Sequence, residues 1–411
     1  MFVKFKNKNY LIASLVGFFS KNREKKSGAV LVIVLLLLAF FSVLVADFLY
    51  QVRINSYLTF NEQEQVRAKA LAKAGINAGQ GILLHSAPFT RSYRGNFQNQ
   101  FVNLFQCKCY TSSTLGGIFG GEEQKKTGTQ EAPDSLCGEW SFSLQYPVEE
   151  DTLYIQITDE QAKINVNALV SYSGGGEEKG AKENPALRPI VDALIKFRAK
   201  ETGMELTDKE VEAILSYLID WLDFGSVEGA LDRDLNEYYQ DGDRLYANKN
   251  GPMDTVSELK MIPGINDQLY NALKDYFTVY PLDQASKGKS FSPKVNIHLA
   301  NLGVVYALVK GASAQGERSA LTEEEAMNYA VQIMKSGMDE KGFLRERDIP
   351  AELKQYLNQA NFILDPTSPI PRTYRIISTA ITGSGINYTI EAVVQAKPGS
   401  GSLKFLYWRE G

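Results

Sequence analysis

The chain predicts an α+β protein: a long N-terminal helix packed on an antiparallel sheet, with a large all-helical domain inserted between the strands. Three observations carry this. An uncharged apolar run near the N-terminus continues into helix-forming sequence. Apolar and polar residues alternate with period two before residue 171 and again after residue 365. Helix caps and apolar stripes at helical spacing fill the sequence between.

From Ala29 to Ala46 there is no charge, and Leu, Val, Ile, Phe and Ala dominate. At a helical rise of about 1.5 Å per residue this run can cross a hydrocarbon core of about 30 Å. Lys21, Arg23, Lys25 and Lys26 precede it, and Asp47 is the first charge beyond it. The positive-inside rule then leaves the N-terminus in the cytoplasm and everything after about Tyr50 outside. A cut after Gly28 would leave Ala29 as the new N-terminus and keep the apolar run. A signal-peptide cut after Ala46 would discard it, but Leu44 and Val45 make a poor site for that enzyme.

The helix is expected to run on, since no Pro occurs before Pro88. Val66, Ala70, Ala74 and Ala78 recur every four residues and form a small-residue stripe. Such a stripe packs either on the chain's own sheet or on helices of copies or relatives in a fibre. Gly75, Gly79 and Gly81 each weaken the last turns by about 1 kcal/mol. Ser86 to Asp134 reads as an exposed, Gly-rich loop. Trp140–Pro147 and Thr152–Thr158 make a strand pair around a Val148–Asp151 turn, and KINVNALV makes a further short strand with Asn165 and Asn167 on one side.

Ser171 to Asn184, with Gly174-Gly175-Gly176, reads as a flexible linker. Beyond it Thr207 and Glu210 form a capping box ahead of Val211, Ile214, Leu215, Leu218 and Leu222. A second box, Thr322 with Glu325, opens a helix stopped by Gly337, and Pro350 opens another. TYRIISTAI, NYTIEAVVQAK and LKFLYWRE close the chain as a meander turning at Gly383-Ser384-Gly385. The expected domains are therefore a leader over 1–28, the membrane part of the helix over 29–50, the first part of the sheet domain over 51–170, the helical insert over 171–365 and the closing strands over 366–411.

With 44 basic against 48 acidic side chains the net charge is −4, which offers no general attraction to a polyanion, so nucleic acid is not an expected partner. His85 and His298 are the only histidines, and both read as structural. Outside the cytoplasm Cys137 can pair with Cys107 or Cys109, and Cys107 with Cys137 is taken as the disulfide. A bond within C-x-C is strained, and three thiols without a nearby histidine make a weak zinc site.

Asp220 and Asp223 sit at i, i+3, and Glu228, Asp232, Asp234, Asp241 and Asp243 follow in a loop. Hard oxygen ligands in a flexible loop suit Ca²⁺, although this is no EF-hand, and a solvated acidic loop is the plain alternative. Paired carboxylates for glycoside hydrolysis would need a substrate groove that nothing else suggests. Ser257 to Tyr276 resembles a helix-hairpin-helix around Pro263-Gly264. Asn266 replaces the second glycine and the surroundings are acidic, so helix packing outweighs phosphate binding. No nucleophile elbow, phosphate loop or dinucleotide fingerprint supports an enzyme.

Several motifs together resemble one family, the K-class minor pseudopilins of the bacterial type II secretion system. They are the Gly28-Ala29 junction after a basic leader, Asn165-Val166-Asn167-Ala168-Leu169, Asp220-Trp221-Leu222-Asp223, Gly229-Ala230, Asn250-Gly251-Pro252 with Ser257-Glu258-Leu259, Val295-Asn296-Ile297 with Ala300, and Tyr407-Trp408-Arg409-Glu410. Ile33 stands where other pilins carry a Glu, an absence typical of this class. The resemblance implies the pseudopilin fold, cleavage between Gly28 and Ala29 by the prepilin peptidase with methylation of the new N-terminus, and a structural Ca²⁺ on Asp220, Asp223, Glu228, Asp232 and Asp234.

It also implies a non-enzymatic role at the tip of a periplasmic pseudopilus, anchored in the inner membrane. The partners would be the I- and J-class minor pseudopilins and the inner-membrane secretion platform. Phe224-Gly225-Ser226 and Leu231 depart from the family's acidic loop, and a leader longer than usual points to a start downstream of Met1. Two other readings are a membrane-anchored helix-hairpin-helix protein binding DNA for uptake, and a periplasmic metal-dependent hydrolase with a groove lined by Asp220, Asp223 and Asp232.

Overall fold

The computed structural model describes residues 26–86, 106–110, 136–172, 181–223, 248–280, 291, 293–297, 299–314, 320–337, 373–396 and 402–411. Helix α1, Lys26–Ser86, opens the described chain. The chain divides into two units, Met1–Arg67 and Ala68–Gly411. In the first, α1 presents Val30 to Tyr50 as exposed apolar side chains. Within Gly28–Leu84 lies a window of mean hydropathy 3.2, none of it buried, so the helix is long and apolar enough to cross a membrane.

In the second unit α1 packs on a six-stranded sheet of order β1-β2-β3-β8-β9-β10. Its strands are β1, Gln106–Tyr110; β2, Leu136–Val148; β3, Asp151–Asp159; β8, Thr373–Ile381; β9, Asn387–Ala396; and β10, Leu403–Glu410, all paired antiparallel. Alternation of apolar and polar residues puts one face of each central strand on the helix. Leu153, Ile155 and Ile157 of β3, Tyr374 and Ile376 of β8, and Ile390, Ala392 and Val394 of β9 close over Ala72, Ile76 and Leu83 of α1.

The stripe that meets the sheet is not the one expected. Ala68, Ala72, Gly75, Ile76, Gly79 and Leu83 are buried, whereas Val66, Ala70, Ala74 and Ala78 are exposed. Backbone approach decides this. A Cβ on Gly75 would lie 2.1 Å from Ser378 Oγ and one on Gly79 2.9 Å from Ile376 Cγ2, so these glycines let the helix sit down on β8. Of the three glycines read as weakening the helix, Gly75 and Gly79 mark its contact face, and Gly81 is exposed.

The hairpin between β2 and β3 turns at Glu149 and Glu150, with Val148 opposite Asp151 and Glu149 at φ 56°. The turn between β8 and β9 uses Gly385 at φ +89°. Strand β1 corrects the loop expected over 86–134; five residues, Gln-Cys-Lys-Cys-Tyr, carry too short an alternation to stand out, and pairing with β2 defines them. The register also differs from the expected cysteine pair: Cys109 stands opposite Cys137, and Cys107 opposite Trp140.

Between β3 and β8 lies a second core. It contains α2, Arg188–Glu201; α3, Asp208–Leu222; α4, Asp267–Leu273; α5, Leu302–Ser313; and α6, Glu323–Gly337. Both expected capping boxes form, with Thr207 Oγ1 accepting from the Glu210 N–H and Thr322 Oγ1 from the Glu325 N–H. Helix α5 is buried all round and crosses α2 so closely that a Cβ on Gly311 would lie 2.5 Å from Ile190 Cα.

The insert is not wholly helical. β4, Ile164–Asn165, pairs with β7, Phe277–Thr278, and β5, Val170–Tyr172, pairs with β6, Ala181–Glu183. KINVNALV is therefore no strand of the main sheet. Val166–Leu169 is a 3-10 turn inside the second core, and every residue from Ile164 to Val170 is buried, where a half-buried strand would bury every other one.

Candidate functional site

Three of the sequence motifs, Asn165–Leu169, Asp220–Asp223 and Asn250-Gly251-Pro252 with Ser257-Glu258-Leu259, converge where the acidic loop leaves and re-enters the insert. Helix α3 ends at Leu222 with Asp223 as its C-cap, the Asp223 N–H donating to the Ile219 carbonyl. Residues 224–247, including Glu228, Asp232 and Asp234, lie outside the described residues, as do Gly229 and Ala230. The chain returns at Asn248, whose Nδ2 donates to the Asp220 carbonyl at 2.8 Å and to Asp220 Oδ2 at 2.7 Å. The Gly251 N–H donates to the Trp221 carbonyl at 3.1 Å. Both feet of the loop are thus tied to the last turn of α3.

The returning strand is clamped on its other side. Asn167 acts as a two-pronged amide: its Nδ2 donates to the Met253 carbonyl at 2.9 Å, and its Oδ1 accepts the Met253 N–H at 2.8 Å. Asn165 caps this turn through the Asn167 N–H, so the two asparagines share a locality and divide the work. Glu258 then gathers four donors: Trp221 Nε1, Lys249 Nζ, and the N–H groups of Asp254 and Thr255. A carboxylate so placed fixes the 3-10 helix Val256–Met261 against the exit of α3.

Asp220, in the last turn of α3, and Asp223, its C-cap, both lie at one foot of the loop. Asp223 is buried, and Asn248, buried too, has an Oδ1 without a hydrogen-bond partner. Among the described residues no group of three or more His, Cys, Asp or Glu could hold a metal ion. Two carboxylates and an orphaned amide oxygen are nonetheless hard donors of the kind calcium takes. Asn248 was missed in the sequence, where an isolated Asn after an acidic loop carries no signal.

The hairpin expected at Ser257–Tyr276 is present as Val256–Met261, a turn at Gly264 with φ +86°, and α4. Leu259, Ile262, Ile265, Leu269 and Leu273 all enter the second core, and a Cβ on Gly264 would press within 2.7 Å of Ile214 on α3. Asn266, at the expected place of a second glycine, caps α4 through the Leu269 N–H. Helix packing accounts for every one of these residues.

A second cluster lies at the boundary between the two cores. Glu160, fully buried just after β3, accepts from Lys163 Nζ at 2.9 Å, from Arg375 Nε of β8 at 2.5 Å and from the Thr278 hydroxyl of β7. Arg375 also reaches Glu391, which Arg409 bonds from β10. Burial would raise the Glu160 carboxyl, but the charges of Arg375 and Lys163 outweigh it and hold it well below the carboxylate range. Beside it burial pushes the Asp159 carboxyl up to about 7, despite bonds from the Gln161 N–H and Asn296 Nδ2.

Asn296 also donates its own N–H to the Gln161 carbonyl, which docks the Val295-Asn296-Ile297 motif on the end of β3. A polar cleft of about 410 Å³ opens beside this cluster, between Tyr280 and Lys274 of the insert and Tyr407 and Arg409 of β10. Neither Asp220 nor Asp223 lines it, so it is not the groove that a hydrolase built on those residues would need.

At the far edge, Glu410 of the closing Tyr407-Trp408-Arg409-Glu410 motif takes bonds from Lys69 and Lys73 of α1, Trp408 Nε1 and the Tyr388 hydroxyl. The Lys69 bond, first among these, holds its carboxyl down to about 2. This motif fastens the last strand to the helix. Gly28 and Ala29 lie exposed on α1, His85 lies at its end, and His298 lies outside the described residues.

Comparison with known proteins points to the same residues. Residues 162–282 match the family model described as "Type II secretion system (T2SS), protein K". A protein named "Type II secretion system protein K" from Pectobacterium carotovorum subsp. carotovorum is 29% identical over 151 residues, which cover 36% of this chain and 42% of that one, less than half the relative's length. The crystal structure of the GspK-GspI-GspJ complex from enterotoxigenic Escherichia coli aligns with a TM-score of 0.42 at 17% identity, over 73% of this chain and 91% of that one. The matched segment contains Asn167, Asp220, Trp221, Asn248, Gly251 and Glu258, the residues that tie the acidic loop into the second core, so it is this segment of the chain that is similar to protein K of type II secretion systems.

Proposed function

We propose that this chain is a minor pseudopilin that ends a pseudopilus, a mechanical part and not a catalyst. The observation that carries the reading is the position of the matched segment: it interrupts a helix-on-sheet body between β3 and β8 and adds a second core to it. Ile33 supports it. A carboxylate buried unpaired in a fibre costs several kcal/mol, and a subunit with nothing stacked above it has no amine to meet. The apolar run then anchors the chain by a single pass in the inner membrane with the sheet and insert outside.

The prepilin peptidase would cut between Gly28 and Ala29, the methylated Ala29 becoming the mature N-terminus. The partners are the I- and J-class minor pseudopilins, assembled on the inner-membrane platform, and the exposed Ala70, Ala74 and Ala78 of α1 suit close helix packing with them. A structural Ca²⁺ at the acidic loop would be held by Asp220, Asp223 and Asn248, with Glu228, Asp232 and Asp234 supplying the remainder. It would lock the loop's feet together.

The test is co-purification from detergent of the three minor pseudopilins expressed together with the peptidase. A ternary assembly whose K-class chain begins at Ala29 is the expected result. Failure to associate, or a chain that starts beyond Ala46, would overturn the reading.

A further inference from the structure

We propose that the chain carries one disulfide, between Cys109 and Cys137, and that Cys107 stays a thiol. The proposal rests on the export of the sheet domain read above, since only there is an oxidant at hand. Its basis is the register of β1 on β2. Gln106 stands opposite Ser141, Cys107 opposite Trp140 and Lys108 opposite Glu139; then the register shifts, and Cys109 stands opposite Cys137 and Tyr110 opposite Leu136. A regular ladder would have set Cys109 against Gly138. The shift passes over Gly138 and brings the two cysteines to one rung.

Residues opposed in an antiparallel ladder have Cα atoms about 4.5–5.5 Å apart, inside the range of about 4.4–6.8 Å that a disulfide accepts. Cys107 faces a residue three positions along β2 from Cys137. At about 3.3 Å per residue that is roughly 10 Å, beyond the limit of about 7 Å for bridging without backbone movement. Among the described residues the edge strand so fastened has five residues and one neighbour in the sheet. A strand that short gains most from a covalent tie.

The bond forms by exchange with a disulfide-bearing oxidase of the exported compartment. The thiolate of one cysteine attacks the oxidase disulfide to give a mixed disulfide, and the thiolate of the other displaces it. The oxidase leaves as a dithiol, carrying two electrons and, through solvent, two protons.

Tryptic mapping tests the pairing, because cleavage after Lys108 puts Cys107 and Cys109 on different peptides. The full chain is expressed in a bacterium, thiols are blocked with an alkylating agent before lysis, and protease accessibility in spheroplasts reports export. The expected map shows the Cys109 peptide joined to the Cys137 peptide until reduction, with Cys107 alkylated; Cys107→Ser keeps the link and Cys109→Ser abolishes it. A Cys107–Cys137 link, or three alkylated thiols in a chain shown to be exported, would overturn the proposal.

The purified, reduced chain is also re-oxidised in a glutathione buffer, which tests the pairing apart from the compartment. If the chain stays inside but that oxidation joins Cys109 to Cys137, the pairing stands and the export reading falls. If glutathione gives another pair or none, the pairing itself is wrong.

Discussion

At Gly75 a hydrogen is all that the space against Ser378 admits, while six residues further on Gly81 meets nothing within 4 Å. The two glycines share a helix and a residue type but should answer mutation oppositely. Gly75→Ala overpacks the helix–sheet contact and should destabilise by about 1–3 kcal/mol. Gly81→Ala should stabilise by roughly 0.5–1 kcal/mol through helix propensity alone. Thermal unfolding of the detergent-solubilised chain separates them by sign.

Asn167 is the residue on which the loop clamp depends, and Asn167→Leu would leave the Met253 N–H and carbonyl buried without their partner. A loss of about 2–4 kcal/mol in urea unfolding is expected for the two bonds together. Asp159 sets a pH dependence. Its folded pKa of about 7 lies above the unfolded value of 3.8, so the folded state holds the extra proton and stability falls as pH rises from about 4 to 7. The slope approaches 1.4 kcal/mol per pH unit at most. Glu160 runs the other way, its contribution being present above its ordinary carboxylate range and lost only in strong acid. Asp159→Asn should therefore flatten the melting temperature between pH 4 and 7, and a variant with an unchanged slope would show that Asp159 is not its source.

Among elements, α1 shows most clearly what a sequence exposes and what it hides. Its length and its apolar run were legible, as were both capping boxes, the β2–β3 pair and the β8–β9–β10 meander, whereas the direct pairing of β3 with β8 was not. Which of its two small-residue stripes faces the sheet was not, because Ala spacing is similar on both and only the shape of β8 distinguishes them. Since Ala70, Ala74 and Ala78 face out, Ala70→Leu with Ala74→Leu should leave the melting temperature within about 1 kcal/mol equivalent of the parent. The same pair should weaken capture of the partner pseudopilins, and co-purification measures this.

The acidic loop was legible as a candidate through its aspartates, but its closure was not. Asn167, Asn248 and Glu258 act through pairings across 28 to 86 residues of sequence, and no local period reports a contact of that range. Glu160 and Arg375 were overlooked for the same reason: each is one charge in a short element, and only the 215 residues between them, once folded, make a pair.

For the whole molecule, the Cys109–Cys137 bond would close a loop of about 28 residues and stabilise the sheet domain by roughly 3–4 kcal/mol in chain-entropy terms. Reduction should therefore lower its unfolding midpoint in the parent and leave the Cys109→Ser variant unmoved.

The insert leaves the sheet at the end of β3 and returns at the start of β8, two strands that pair directly with Asp159 opposite Tyr374. Glu160 and Arg375 join across that same point. A load that reaches the end of β3 from the insert is therefore shared at once with β8, through ladder hydrogen bonds and a buried ion pair.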